Sequence, residues 1–96
     1  MTCFIATLNV KPGHEADFEK LQAELSQLTH AQEPDTIVYD ILRSRTQPEV
    51  YVVYARFKDE AAFQLHQSTS FHDRLVPPIM ATLGGDMDLQ FYDFIA

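Results

Sequence analysis

The best candidate for chemistry in this chain is His66. It lies in Ala62-Phe63-Gln64-Leu65-His66, four residues after Ala62 and so on the same face of a helix. A histidine at the edge of an apolar helix face can take or give a proton near neutral pH. The plainer alternative is a histidine that hydrogen-bonds a backbone group and does nothing more. Tyr39, Tyr51, Tyr54 and Tyr92 could line a pocket, each with an apolar ring and a polar tip, or could serve the core or an interface. Asn9 falls inside a strand pattern, as a pocket hydrogen-bonder or an edge residue. Phe63, next to the histidine in the helix pattern, is a candidate pocket wall.

Metal-binding signatures are absent. His66 and His72 are six apart, a spacing that does not put them on one helix face, and there is no H-E-x-x-H, C-x-x-C or acidic loop. His14 and His30 read as solvated ends of a first helix. No nucleophile elbow, phosphate-binding loop or dinucleotide fingerprint occurs, and Gly84-Gly85 reads as a turn. Neither a metal nor an organic cofactor is expected.

The elements that must position these residues are organised around Val50–Phe57, V-Y-V-V-Y-A-R-F. Its β-branched and aromatic content predicts a strand. One face carries Val50, Val52, Tyr54 and Arg56, the other Tyr51, Val53, Ala55 and Phe57. Both faces are largely apolar, so both require cover.

Cys3–Val10 predicts the first strand, with Phe4, Ala6, Leu8 and Val10 on one face. Lys11-Pro12-Gly13 ends it and opens a helix over His14–His30. Phe18, Leu21, Leu25 and Leu28 form that helix's apolar stripe, and Gln22, Glu24 and Gln27 its wet face. Thr36–Arg43 is the second strand, with Ile37, Tyr39 and Ile41 facing one way. A polar hairpin at Ser44–Glu49 makes strands two and three antiparallel neighbours. Asp59 caps a helix over Glu60–Gln67, with apolar contacts from Ala62, Phe63 and Leu65. Ser70 and Asp73 loosely resemble a capping box for a further helical segment, which Pro77-Pro78 should break or kink. Met87–Ile95 is the last strand.

The order β-α-β-β-α-β predicts an α+β, ferredoxin-like fold, a four-stranded antiparallel sheet with both helices on one side. The other face would then lie bare, and an apolar patch of that kind calls for a partner or ligand. A homodimer closing sheet against sheet would cover it.

The 96 residues are read as a single domain over 1–96, with a thin core: chains of this size bury roughly 60–65% of their unfolded surface. Seven basic against 14 acidic residues give a net charge of −7, which disfavours nucleic acid and anionic membranes as partners. No apolar run approaches the ~18 residues of a membrane span. One cysteine, Cys3, permits no intrachain disulfide, and the N-terminus lacks a secretory pattern; both point to a cytoplasmic setting.

Pro12-Gly13 before an acidic helix, Glu33-Pro34 followed by Tyr39-Asp40-Ile41, then Tyr51-Val52-Val53-Tyr54, and Lys58-Asp59-Glu60-Ala61-Ala62-Phe63 with His66-Gln67-Ser68, together resemble the antibiotic biosynthesis monooxygenase (ABM) domain family. The resemblance implies a dimeric α+β barrel. It implies a pocket between sheet and helices, and oxidation of small quinol- or anthrone-like aromatics without metal or flavin. The same family includes heme-degrading enzymes and isomerases acting on a phosphorylated signal. The family histidine matches His66, with Tyr54, Tyr39, Asn9, Phe63 and Tyr92 as candidate substrate contacts. Two departures stand out. Ala55 replaces a Glu common on strand three, and Trp is absent, with Ala6 at the Asn position of the heme-degrading branch. These argue against heme degradation. They leave three readings: a cofactor-independent monooxygenase, a proton-transfer enzyme or isomerase on a small carbonyl compound, and a non-catalytic dimer that binds a hydrophobic metabolite. For a phosphorylated substrate, Arg56 and Arg74 are the arginines nearest a pocket.

Overall fold

The alternation in Val50–Phe57 is reproduced residue by residue in the computed structural model, which describes residues 1–96. Tyr51, Val53, Ala55 and Phe57 are at most 3% exposed, while Val50, Val52, Tyr54 and Arg56 are half-buried. This strand, β3, follows β1 (Thr2–Asn9), α1 (Glu15–Gln32) and β2 (Thr36–Arg43), and precedes α2 (Glu60–Ser68), α3 (Ser70–Ala81) and β4 (Asp88–Asp93). The sheet order is β2-β3-β1-β4 with every pair antiparallel, the ferredoxin-like arrangement.

The core lies between one face of this sheet and the helices. Phe4, Ala6 and Leu8 from β1 and the inner residues of β3 meet Phe18 and Leu25 of α1, Ala62 and Phe63 of α2, and Phe71, Leu75 and Ile79 of α3. Gly13 takes φ +87°, the left-handed turn that redirects the chain from β1 into α1. On the opposite face Ile5, Val38, Val52 and Tyr54 are half-buried and Leu42 and Tyr92 are each 52% exposed, so no helix covers it.

Several local expectations change. The pairing of β2 with β3 is irregular between Thr36 and Val38. Such a bulge adds a residue and re-aims its neighbours. Thr36 and Tyr39 therefore both face the core, and Ile37, expected beside Tyr39, is turned out at 41% exposure. Gln22, expected on the wet face of α1, is buried in register with Phe18, Leu25 and Thr29. Leu65 is 52% exposed, and the buried side of α2 is Ala62, Phe63 and His66.

Asp59 caps α2 as expected, accepting from the Ala62 amide at 2.9 Å. Thr69, not Ser70, caps the next helix, accepting from the His72 amide at 3.2 Å. Pro77 and Pro78 do not break α3. They deprive only the Asp73 and Arg74 carbonyls of amide partners, and both of those residues face solvent. β4 is shorter than the expected Met87–Ile95, and β1 stops at Asn9, with Val10 bridging to Leu83.

Candidate active site

Glu33 directly precedes Pro34, and a residue before proline is pushed out of the helical region. Glu33 accordingly caps α1 in an extended conformation (φ −119°, ψ 90°), its amide still donating to the Thr29 carbonyl. That turn sends its side chain into the core, where the residue is 3% exposed. Thr36 Oγ1 donates to Glu33 Oε1 at 2.8 Å. Nδ1 of His66 lies 3.0 Å from both carboxylate oxygens.

His66 stands in the last turn of α2 and is 2% exposed. Its ring packs 5.0 Å from Tyr39 and 5.3 Å from Phe57. In the tautomer that suits this contact, Nδ1–H donates the hydrogen bond and the Glu33 carboxyl oxygens accept it. In the neutral ring, the other nitrogen, Nε2, then presents a lone pair. The side chain borders a cavity of about 170 Å³ between the sheet and the helices. Most of the wall is apolar, including Leu8, Val53, Phe63 and Ile79; Gln22, Gln67 and His72 are the other polar members.

His72 lies beyond the helix break at Thr69, and its ring centroid is 5.0 Å from that of His66. The break cancels the expected separation of the two histidines. Partial burial holds His72 below the ordinary histidine value of 6.5; a charge on His66 pushes the same way, against Asp73 and Glu33. Burial, reinforced by the Glu33 charge, pushes the Tyr39 hydroxyl up. The Tyr39 carbonyl is tied to α1 by the Ser26 hydroxyl at 2.9 Å.

Of the residues singled out from sequence, His66, Tyr39 and Phe63 meet at the cavity. Tyr54 lies on the opposite face of the sheet. Tyr92 pairs with Cys3 on that face and is 52% exposed, and Asn9 is exposed at the end of β1. Arg56 stacks on Phe94 at 4.3 Å and Arg74 pairs with Glu24 at 2.8 Å, so neither supplies a cation to the cavity. Sequence reading did not identify Glu33, Gln22 or His72 as site residues. The one available signal was Glu33 immediately before Pro34.

The family model for antibiotic biosynthesis monooxygenase matches residues 1–77. The chain belongs to the antibiotic biosynthesis monooxygenase family. Its structure is similar to that of an antibiotic biosynthesis monooxygenase, at 30% identity, TM-score 0.91 and complete coverage of both chains. It is also similar to a protein provisionally given the same name from Caulobacter crescentus CB15, at 28% identity and TM-score 0.95, covering 99% of this chain and 90% of that one. A third, provisionally so named from Nitrosomonas europaea, shares the fold at 19% identity, TM-score 0.93 and complete coverage. No curated protein matches the chain. In this family member the carboxylate paired with His66 comes from the end of α1, while Ala55 on β3 is fully buried beside Tyr39 and Phe4. No helix is long and apolar enough to cross a membrane.

Proposed function

We propose that this family member is a cofactor-independent monooxygenase acting on a small single-ring quinol or phenol, with His66 as the base. The observation that carries the reading is the buried Glu33–His66 pair, whose histidine borders an apolar cavity. Glu33 fixes the ring and stabilises the imidazolium formed when Nε2 accepts a proton. The cavity volume sets the size of the guest. An engineered cavity of about 150 Å³ holds benzene. At about 170 Å³ this one suits one ring, and a three-ring anthrone would require it to open. With no Lys or Arg in its wall, a phosphorylated substrate is disfavoured.

The reaction balances without a further reductant. His66 removes a hydroxyl proton, and the electron-rich phenolate passes one electron to oxygen. The resulting radical pair combines at a ring carbon as a C–O bond. The proton held by His66 goes to the distal peroxide oxygen, which leaves as water with cleavage of the O–O bond and loss of the proton on that carbon. Hydroquinone and O₂ would thus give hydroxybenzoquinone and H₂O.

The uncovered sheet face supports a homodimer, which would enlarge a thin core. A cytoplasmic setting accords with Cys3, a buried free thiol.

Oxygen consumption with a panel of single-ring quinols tests the chemistry. His66→Ala should abolish uptake, and a variant that keeps the full rate would overturn the role of the histidine. Turnover that persists under strict anaerobiosis would replace the oxygenase reading with proton transfer on a carbonyl compound. Binding without turnover in either condition would mark a non-catalytic carrier.

A further inference from the structure

The amide of Gln22 is the least explained polar group in the cavity wall. It projects from α1 between Phe18 and Leu25, and the residue is 4% exposed. Its Oε1 is buried and finds no hydrogen-bond partner within the chain. A leucine at this position would complete the apolar stripe of α1. An unsatisfied buried amide destabilises the fold, so its presence is unfavourable for folding alone. The same cost makes it a selector: a ligand that satisfies the amide recovers what the empty protein loses, and one lacking the complementary group does not.

We infer that Gln22 is a specificity-determining residue whose amide hydrogen-bonds an oxygen of the ring substrate other than the one engaged by His66. The inference rests on the single-ring quinol reading above and narrows it to doubly oxygenated rings, such as a hydroquinone or a hydroxyphenol. A primary amide both donates and accepts, so it pairs with a hydroxyl in the quinol and still donates to the carbonyl of the quinone product. His66 and Gln22 come from different helices, α2 and α1, and border the same cavity. The rest of the wall is dominated by apolar side chains that contact the ring without orienting it.

The experiment is anaerobic calorimetric titration of the whole chain with hydroquinone and with p-cresol, which replaces one hydroxyl by a methyl group. Without oxygen no turnover follows, so binding is read separately from catalysis. Wild type should bind hydroquinone about tenfold more tightly than p-cresol or better, a factor equivalent to ~1.4 kcal/mol. In Gln22→Met that preference should vanish, with p-cresol affinity retained. Gln22→Leu should behave in the same way, which guards against a packing artefact in either variant. Both variants should also melt at a higher temperature, because the unsatisfied amide is gone.

An undiminished preference in both variants would overturn the assignment to Gln22 while leaving the parent reading intact. Failure of wild type to bind either ligand would overturn both. Equal loss of both ligands in two well-folded variants would show that the residue shapes the cavity and does not select its guest.

Discussion

Both carboxylate oxygens of Glu33 lie 3.0 Å from Nδ1 of His66, although the two residues are 33 positions apart. Each is at most 3% exposed. Removing one partner of such a pair leaves the other buried and uncompensated, a loss of several kcal/mol. Neither residue therefore serves merely to decorate a surface.

Glu33→Gln preserves shape and removes the charge that steadies an imidazolium. It should lower kcat by about a hundredfold, the lower end of the range of general-base contributions, and leave KM little changed. Glu33→Ala should unfold at markedly lower urea, losing about 3 kcal/mol. Thr36→Val deletes the 2.8 Å hydrogen bond to Glu33 and should cost ~1 kcal/mol. Unchanged kcat in a folded Glu33→Gln protein would remove the carboxylate from the mechanism.

Folding stability should fall on mild acidification, through His72. Partial burial and the neighbouring His66 hold His72 below 6.5, against the opposing charges of Asp73 and Glu33. Between its folded and ordinary values the unfolded chain binds more protons than the folded one. Its contribution is then complete above pH 6.5 and is lost as the pH falls below that value. Denaturant midpoints for wild type and His72→Phe, measured from pH 7.5 downward, should diverge there, with the variant the flatter. Parallel curves would show that His72 titrates normally.

At alkaline pH, Tyr51 should contribute alongside Tyr39, whose hydroxyl is also pushed up. Tyr51 is 1% exposed, and its hydroxyl donates to Glu19, which also pairs with Arg43 at 3.2 Å. Burial and then the Glu19 hydrogen bond push this phenol up from 10.0 to about 12, while the Arg43 charge opposes the rise. The folded chain thus keeps a proton that the unfolded chain releases, and stability is level below pH 10 and declines toward pH 12. Ultraviolet titration should find two late phenols in wild type and one, Tyr39, in Tyr51→Phe. Ionisation of every tyrosine together near pH 10 in the folded protein would contradict this.

The bare sheet face should hold two copies together. Val52 sits centrally on it, in β3. Val52→Asp would place a charge in the proposed interface without touching the cavity wall. Sedimentation should show a dimer for wild type at micromolar concentration and a monomer for the variant. A monomeric wild type would dismiss the dimer.

Local pattern was enough for the architecture. The boundaries of β2 and β3 follow directly from the polar hairpin between two apolar runs, and the alternation along β3 foretells which of its side chains are buried. His66 could be singled out because its distance from Ala62 already puts it on the packed side of α2.

What surrounds that histidine was settled by the tertiary fold. Periodicity identifies the inward side of an element, but a polar residue there looks the same as one at a wet boundary. Gln22 therefore reads as solvent-facing from sequence, although the fold buries it. His72 comes beside His66 through a change of helix direction at Thr69, which a single helical wheel cannot describe. Glu33 reaches His66 across a span of chain that no spacing rule covers. Hydrophobic burial has a period and can be read along a chain; the partner of a buried charge is fixed by three-dimensional distance and the need to satisfy it away from water.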